Sequence, residues 1–141
     1  MLNISKMIKW LKNKTKWQET PYPLNEEDYF EMIREGIELL FVETGRSADY
    51  DEDKYVIIEE TGEYGFDYTI PLDEKKFIQY SALINFFAKV QTDYNDRFGY
   101  TTDALTITNA NKPYENLRET IDKLDNERRI IYYKMIRYTL T

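Results

Sequence analysis

The chain lacks histidine and cysteine altogether, and it contains only three serines, Ser5, Ser47 and Ser81. Without histidine it has no side chain whose ordinary pKa suits proton transfer near neutral pH. Without cysteine it has no thiolate nucleophile, no soft metal ligand and no disulfide. These absences argue against most enzyme classes, so we expect no enzymatic activity and a role in binding or assembly.

Glycine and long apolar runs are scarce as well. The five glycines do not fall in the spacing of a phosphate-binding or dinucleotide-binding loop, so we expect no cofactor. No apolar run approaches the roughly 18 to 20 residues that a membrane-spanning helix needs. The first residues lack the apolar stretch and cleavage site of a secretory signal, so we expect a protein made in the cytoplasm that does not bind membranes.

The side chains that are present are typical of one folded domain. Hydrophobic residues make up 42% of the 141 residues and aromatic residues 16%, which is too apolar for a disordered chain. Tyrosine occurs 13 times. Because tyrosine joins a large apolar ring to one hydroxyl, it suits both half-buried positions and protein interfaces, and composition leaves both interpretations open.

Charge is distributed unevenly along the chain. The net charge is −7, yet residues 1–18 contain five lysines and no acid, while the remaining residues carry 14 basic and 26 acidic side chains. The resulting charge of −12 on the body repels nucleic acids and anionic lipids at long range.

The basic N-terminal segment also has apolar residues at helical spacing, namely Ile4, Met7, Ile8 and Leu11. This pattern predicts a basic amphipathic arm over residues 1–20, which Pro21 and Pro23 separate from a single domain at 21–141. The arm has three open placements: on the acidic body, on a partner protein, or on a membrane or nucleic acid. We expect it to serve assembly and to be dispensable for folding, with three partner-binding candidates: Trp10, Leu11 and Trp17.

Hydrophobic periodicity predicts a mainly α fold, with three long helices, an inserted β-hairpin and a long loop before the last helix. The helices are expected at 25–44, 73–97 and 113–139, with Asn25 as the first N-cap and Gly45 as its stop. Alternating apolar residues around a glycine-containing turn predict the hairpin at 54–70. The apolar stripe of the last helix fits packing on the second helix or on another molecule.

The predicted loop at 99–113 is rich in threonine and asparagine and contains an alternating strip at Leu105 and Ile107. Loops longer than about 12 residues in compact domains are usually functional or mobile. We therefore expect Leu105 and Ile107 to bind a partner, by adding as a strand to the hairpin edge of a neighbouring subunit.

One group of carboxylates has the spacing of a calcium-binding loop. Asp49, Asp51, Asp53 and Glu60 occupy positions 1, 3, 5 and 12 of such a loop. Lys54 stands where the loop needs glycine, and strand rather than helix is predicted to follow. We expect no metal site, and a solvated acidic loop in its place.

The order of elements resembles the small head–tail connector, or head-completion, proteins of tailed bacteriophages. The segments that carry the resemblance are residues 25–46, FDYTIPLD at 66–73, and YTTDALTITNANKPYENL at 100–117. It spans residues 25–139 and implies a structural virion protein that forms a ring of copies and joins the portal to the tail proteins. It also implies that DNA passes through the channel without specific binding, which suits an acidic wall.

A function of another class is also compatible with the sequence. The acidic body and the lack of catalytic residues suit a DNA mimic, or a regulator that binds a protein and inhibits a nucleic-acid enzyme. Lysine and arginine interrupt the acidic residues, which weakens the resemblance to a continuous phosphate surface.

Overall fold

The computed structural model describes the backbone of residues 1–15, 24–98 and 104–139, and the side chains of 1–15, 24–92 and 117–136. Within these residues the chain forms four helices: α1 (Ile4–Thr15), α2 (Glu26–Glu43), α3 (Leu72–Phe98) and α4 (Ala104–Thr139). Three short strands, β1 (Leu2–Asn3), β2 (Tyr55–Ile57) and β3 (Tyr64–Phe66), form an antiparallel sheet in the order β1-β3-β2. The mainly α fold with an inserted hairpin is thus confirmed.

Helix α2 begins and ends where its sequence signals indicate. The side chain of Asn25 accepts a hydrogen bond from the backbone N–H of Asp28 at 2.9 Å, and the Asp28 carboxylate accepts one from the Asn25 N–H at 3.0 Å. This capping box satisfies two N–H groups that the first turn leaves free. At the other end Gly45 adopts a φ of 70°, a left-handed conformation that glycine reaches without strain.

The hairpin is shorter than predicted, because the alternating run at 66–70 is a strand only as far as Phe66. Beyond it the Tyr68 N–H donates to the Phe66 carbonyl at 2.8 Å, and the chain bends toward α3. Strand β1 pairs with the other edge of β3 and brings the N-terminus against the hairpin. Gly65 permits this approach, since a Cβ there would lie 2.8 Å from the sulfur of Met1.

Helix α3 is the central helix, as its nearly continuous apolar surface predicts, and it contacts α1, α2 and α4. It begins at Leu72, one residue before the predicted start, so Asp73 lies within its first turn. Gly36 of α2 lets the two backbones approach closely, because a Cβ at this position would lie 3.1 Å from the Ile78 carbonyl oxygen.

The predicted loop at 99–113 is wrong from Ala104 onward, because α4 begins there and continues through Pro113. Threonine, asparagine and proline disfavour helix locally, but local propensity is a weak determinant that the rest of a long helix can override. Leu105 and Ile107 are therefore helical, which contradicts the proposed strand addition.

Farther along α4, Leu117, Ile131 and Met135 are buried in the core, so the apolar stripe of α4 packs within the molecule.

Helix α1 is part of the core. Leu2, Ile4, Met7, Ile8 and Leu11 are all buried, and Ile4 and Leu11 are fully inaccessible to solvent. Its other end is fastened to α2 by an ion pair between Lys12 and Glu26. The segment is helical and amphipathic, as predicted. The expectation that few core contacts depend on it is wrong, because its apolar face packs against α2 and α3.

Candidate functional site

A surface cavity, here called the α1–α4 groove, lies between α1, α3 and α4. It has a volume of about 480 Å³. Its floor is apolar, formed by the buried side chains of Leu83 and Ile131. Its walls and rim combine aromatic, aliphatic and charged side chains, contributed by Trp10, Lys14, Asp73, Lys76, Gln79, Tyr80, Glu127, Ile130 and Lys134. A groove of this composition suits a side chain or a short segment of another protein.

Two further side chains extend the apolar surface from the floor of the groove to its wall and rim. Trp10 is half-buried, with part of its ring packed on the core. Ile130 stands on the rim and is 57% exposed. It falls outside the stripe of α4, one residue before the buried Ile131, so core packing does not account for its apolar side chain.

The charge of the groove is more positive than that of the molecule. Three lysines face two carboxylates there, whereas the whole chain carries a net charge of −7. Burial raises the pKa of the Tyr80 hydroxyl, and the neighbouring charge and hydrogen bond of Glu127 raise it further. Tyr80 therefore stays protonated at neutral pH and acts as a hydrogen-bond donor, not as a base or nucleophile.

A surface of opposite charge lies at the end of the hairpin. The hairpin tip, defined as residues 57–64, contains Glu59, Glu60 and Glu63 and no basic residue. Its turn is closed by the Ile58 N–H, which donates to the Glu63 carbonyl at 2.7 Å. Two large apolar side chains flank these acids, Ile57 at 60% exposure and Tyr64 at 53%.

The charge of the acids near the outer side of α2 is partly neutralised. The guanidinium of Arg34 lies 2.8 Å from the carboxylate of Glu31 and 3.3 Å from those of Glu38 and Glu52. The hydrogen bond to Glu31 is the main reason why the pKa of Arg34 is raised. One cation thus serves three carboxylates, which lowers the negative potential of this face.

The carboxylates with calcium-loop spacing do not converge. Asp49, Asp51 and Asp53 are exposed, and the Asp51 carboxylate accepts a hydrogen bond from the backbone N–H of Asp53 at 2.9 Å. Glu60 lies in the hairpin turn beyond β2. Among the residues that the structure describes, no group of three or more carboxylates is placed to hold a metal ion.

Most tyrosines near the hairpin are partly buried and pack against the core. Between the hairpin and α2 lies an aromatic cluster that consists of Phe41, Tyr50, Tyr55, Phe66 and Tyr68. The Tyr50 hydroxyl lies 3.1 Å from that of Tyr55 and 3.2 Å from a carboxylate oxygen of Glu38. Since a carboxylate only accepts, the Tyr50 hydroxyl donates to Glu38 and accepts a hydrogen bond from the Tyr55 hydroxyl. Burial is the main cause that raises the pKa of both hydroxyls.

The partner-binding residues suggested by the sequence have different fates. Trp10 lines the groove, but Leu11 is fully buried beside it and is unavailable to a partner, because it lies on the inward face of α1. Trp17 lies outside the described residues, and so do the side chains of Leu105 and Ile107. The sequence analysis missed Tyr80 and Ile130, although Ile130 had a signal: an apolar residue off the α4 stripe.

Comparison with known proteins adds no relative. No family model, curated protein or solved structure matches the chain. None of the described helices has the length and apolar character required to cross a membrane. Function is therefore inferred from the surfaces described above.

Proposed function

We propose that the chain is a non-catalytic structural subunit that assembles with copies of itself. The single observation that carries this proposal is the outer face of α4, defined as Ile130 and Tyr133, which lie about one turn apart on the helix. These side chains are 57% and 67% exposed, although the molecule already has a continuous core. Large apolar side chains exposed next to each other are typical of interaction surfaces.

The pocket beside this face supports the same function. It has a volume of about 390 Å³ and lies between α2, α3 and α4. The Tyr132 hydroxyl closes its edge by donating to the Glu43 carbonyl at 3.2 Å, and Arg129 and Tyr133 stand at its mouth. Tyrosine and arginine are enriched at the energetic centres of protein interfaces.

We further propose that the assembly is the head–tail connector of a tailed phage, located in the virion between the portal and the tail proteins. The support is the succession of the capped helix α2, the buried helix α3 and the long final helix α4, together with the acidic charge. DNA that moves through a channel of negative charge is repelled from the wall and does not bind it.

The DNA mimic is the less favoured function. A mimic needs an uninterrupted negative surface, whereas Arg34 sits among Glu31, Glu38 and Glu52 and cancels part of their charge. The exposed acids at 49–53 are grouped in one loop and do not extend along a helix.

Mass spectrometry of purified virions, from a lysate of the cell that carries the gene, tests the proposal. We expect the protein in the particles at several copies, and native mass spectrometry of the isolated protein should show oligomers. A chain that is absent from the particles, stays monomeric and inhibits a nuclease in solution would be a mimic instead.

A further inference from the structure

We propose that the hairpin tip of one copy docks in the α1–α4 groove of the next copy. This inference rests on the proposed function, because the occupant of the groove is a second copy of the same chain. It goes beyond that function by naming the two surfaces that meet and the head-to-tail arrangement of the subunits.

Charge complementarity is the first argument. The groove presents Lys76 and Lys134 at its exposed rim, in a molecule whose net charge is negative. The tip presents Glu59 and Glu60, both exposed, with Glu63 beside them. Opposite charges on facing surfaces steer the encounter and fix the register of a complex, and they disfavour the groove–groove and tip–tip contacts of a symmetric dimer.

The apolar side chains match as well. Ile57 and Tyr64 project from the tip, and both are more than half exposed in the isolated molecule. In the groove, Trp10 and Ile130 offer an apolar wall and rim. An interface of this kind has an apolar centre surrounded by a charged rim, which is the usual anatomy of a specific protein contact.

The two surfaces lie on different sides of the molecule. The tip is held beside α1 and α2, because the Tyr64 N–H donates to Ser5 Oγ of α1 at 2.9 Å and the Tyr64 ring packs on Phe30 of α2 at 5.9 Å. The groove opens between α1, α3 and α4. A contact between unlike surfaces on different sides is head-to-tail. An open oligomer built in this way has a free tip at one end and a free groove at the other. Repetition of such a contact builds a ring where the rotation closes, or a filament where it does not.

Charge reversal tests the contact, because reversing the charges on both surfaces should restore the association that reversal on either surface alone weakens. Three variants of the full chain are required: a groove variant (Lys76→Glu with Lys134→Glu), a tip variant (Glu59→Lys with Glu60→Lys), and a chain that carries all four changes. We expect each double variant to associate at least about 100-fold more weakly than the wild type, and the fourfold variant to recover most of the loss. Light scattering with size-exclusion chromatography over a range of concentrations measures the association.

Matched controls separate this contact from a general effect of charge. Lys89 and Lys123 are exposed on α3 and α4 but do not line the groove, so Lys89→Glu with Lys123→Glu makes the same change in net charge. We expect this control to assemble as the wild type does. Circular dichroism and the thermal midpoint establish that every variant is folded.

A mixture of the two double variants gives a second readout. The intact, acidic tip of the groove variant fits the intact, basic groove of the tip variant. The reversed, basic tip of the tip variant in turn fits the reversed, acidic groove of the groove variant. We therefore expect oligomers of alternating subunits to form on mixing, although each double variant associates poorly alone, and light scattering measures this. If the contact joined groove to groove instead, the tip variant alone would assemble as the wild type does.

Other outcomes overturn the inference in distinguishable ways. If the wild type assembles and the groove variant assembles equally well, the tip–groove contact is wrong while the proposed function stands. If the wild type stays monomeric but is present in virions, the tip–groove contact and the self-assembly are both wrong, while the proposed location in the virion stands. If it is monomeric and absent from virions, the inference and the whole proposed function fail. A folded fourfold variant that does not assemble also contradicts the contact.

Discussion

The aromatic cluster beneath the hairpin and the outer face of α4 use the same kinds of side chain in opposite environments. In the cluster, Phe66 is fully buried, and its ring centre lies 4.8 Å from that of Tyr55 and 6.1 Å from that of Phe41. On α4, Tyr133 is 67% exposed. Tyrosine content alone therefore does not identify an interface in this protein.

What separates the two regions is the use of the hydroxyl groups. In the cluster the hydroxyls of Tyr50 and Tyr55 are engaged in a chain that ends at Glu38, and the Tyr68 hydroxyl accepts from Arg46 at 3.4 Å. Buried polar groups must find such partners, so these residues are fixed by the fold. The side chains on the outer face of α4 are exposed and do not pack in the core, which is why we assign this face to binding.

The largest effect should come from removing α1, which we place with the buried region. Deletion of residues 1–15 removes Leu2, Ile4, Met7, Ile8 and Leu11 from the core. Each buried side chain of this size contributes about 1.5–3 kcal/mol, and a whole domain is stable by only about 5–15 kcal/mol. We expect the truncated chain to lose cooperative unfolding in urea, followed by circular dichroism.

The control for this deletion is a pair of substitutions on the same helix. Lys6 and Lys9 are exposed on α1, and Lys6→Ala with Lys9→Ala should leave the unfolding midpoint nearly unchanged. A truncated chain that still unfolds cooperatively near the wild-type midpoint would show that α1 is an accessory arm after all.

The next effect compares one ring from each region. Phe66→Ala leaves a cavity among four aromatic rings and should lower the free energy of unfolding by about 3–5 kcal/mol. Tyr133→Ala removes an exposed ring and should change it by about 0.5 kcal/mol or less. Urea unfolding of both variants measures the contrast, and equal losses would abolish the distinction between the two regions.

Local signals in the sequence account for much of the fold. Asn25 and Gly45 mark the ends of α2 because capping depends on a few neighbouring residues. These ends were predictable because the determining groups lie within one or two turns of each other.

Features that depend on distant residues were not predictable in this way. Strand β1 exists only because Leu2 meets Phe66 across the sheet. The groove joins Trp10, Tyr80 and Ile130 from three helices, and periodicity does not show which of these helices are neighbours. The helical course of 104–112 is a third case, since local propensity there favours a loop.

A smaller loss of stability is expected from the removal of Arg46, which lies at the border of the aromatic cluster. Arg46 forms an ion pair with Glu74, donates to Thr44 Oγ1 at 3.0 Å, and lies 5.1 Å from the ring centre of Phe41. Glu74 is only 12% exposed, so Arg46→Ala leaves a largely buried carboxylate without its partner. We expect a loss of about 2–3 kcal/mol.

Two variants sharpen this prediction. Arg129 is 66% exposed in its ion pair with Asp125, so Arg129→Ala should cost less than about 1 kcal/mol. Adding Glu74→Leu to Arg46→Ala should recover part of the loss, because it removes the stranded charge. If Arg129→Ala costs as much as Arg46→Ala, burial does not govern these pairs.

The smallest effect appears only in alkaline solution and again contrasts the two regions. Burial, followed by the hydrogen bond to Tyr50, raises the pKa of Tyr55 above its unfolded value of about 10. A raised folded-state pKa gives a stability that is complete below pH 10 and is lost as the pH rises toward the folded-state pKa. We therefore expect the wild type to lose up to about 1.4 kcal/mol per pH unit above pH 10 through Tyr55.

Tyr55→Phe isolates this contribution, because lysine deprotonation affects both chains equally and cancels in the difference. The variant should be about 1 kcal/mol less stable at pH 8, where it lacks the hydrogen bond to Tyr50, and the gap should close or reverse above pH 10. Tyr133→Phe, on the exposed face of α4, should follow the wild-type curve throughout. Urea unfolding at intervals from about pH 8 to about pH 11, on both sides of the ordinary tyrosine pKa, measures all three chains. A constant gap between Tyr55→Phe and the wild type would show that Tyr55 ionises as freely in the fold as in the unfolded chain.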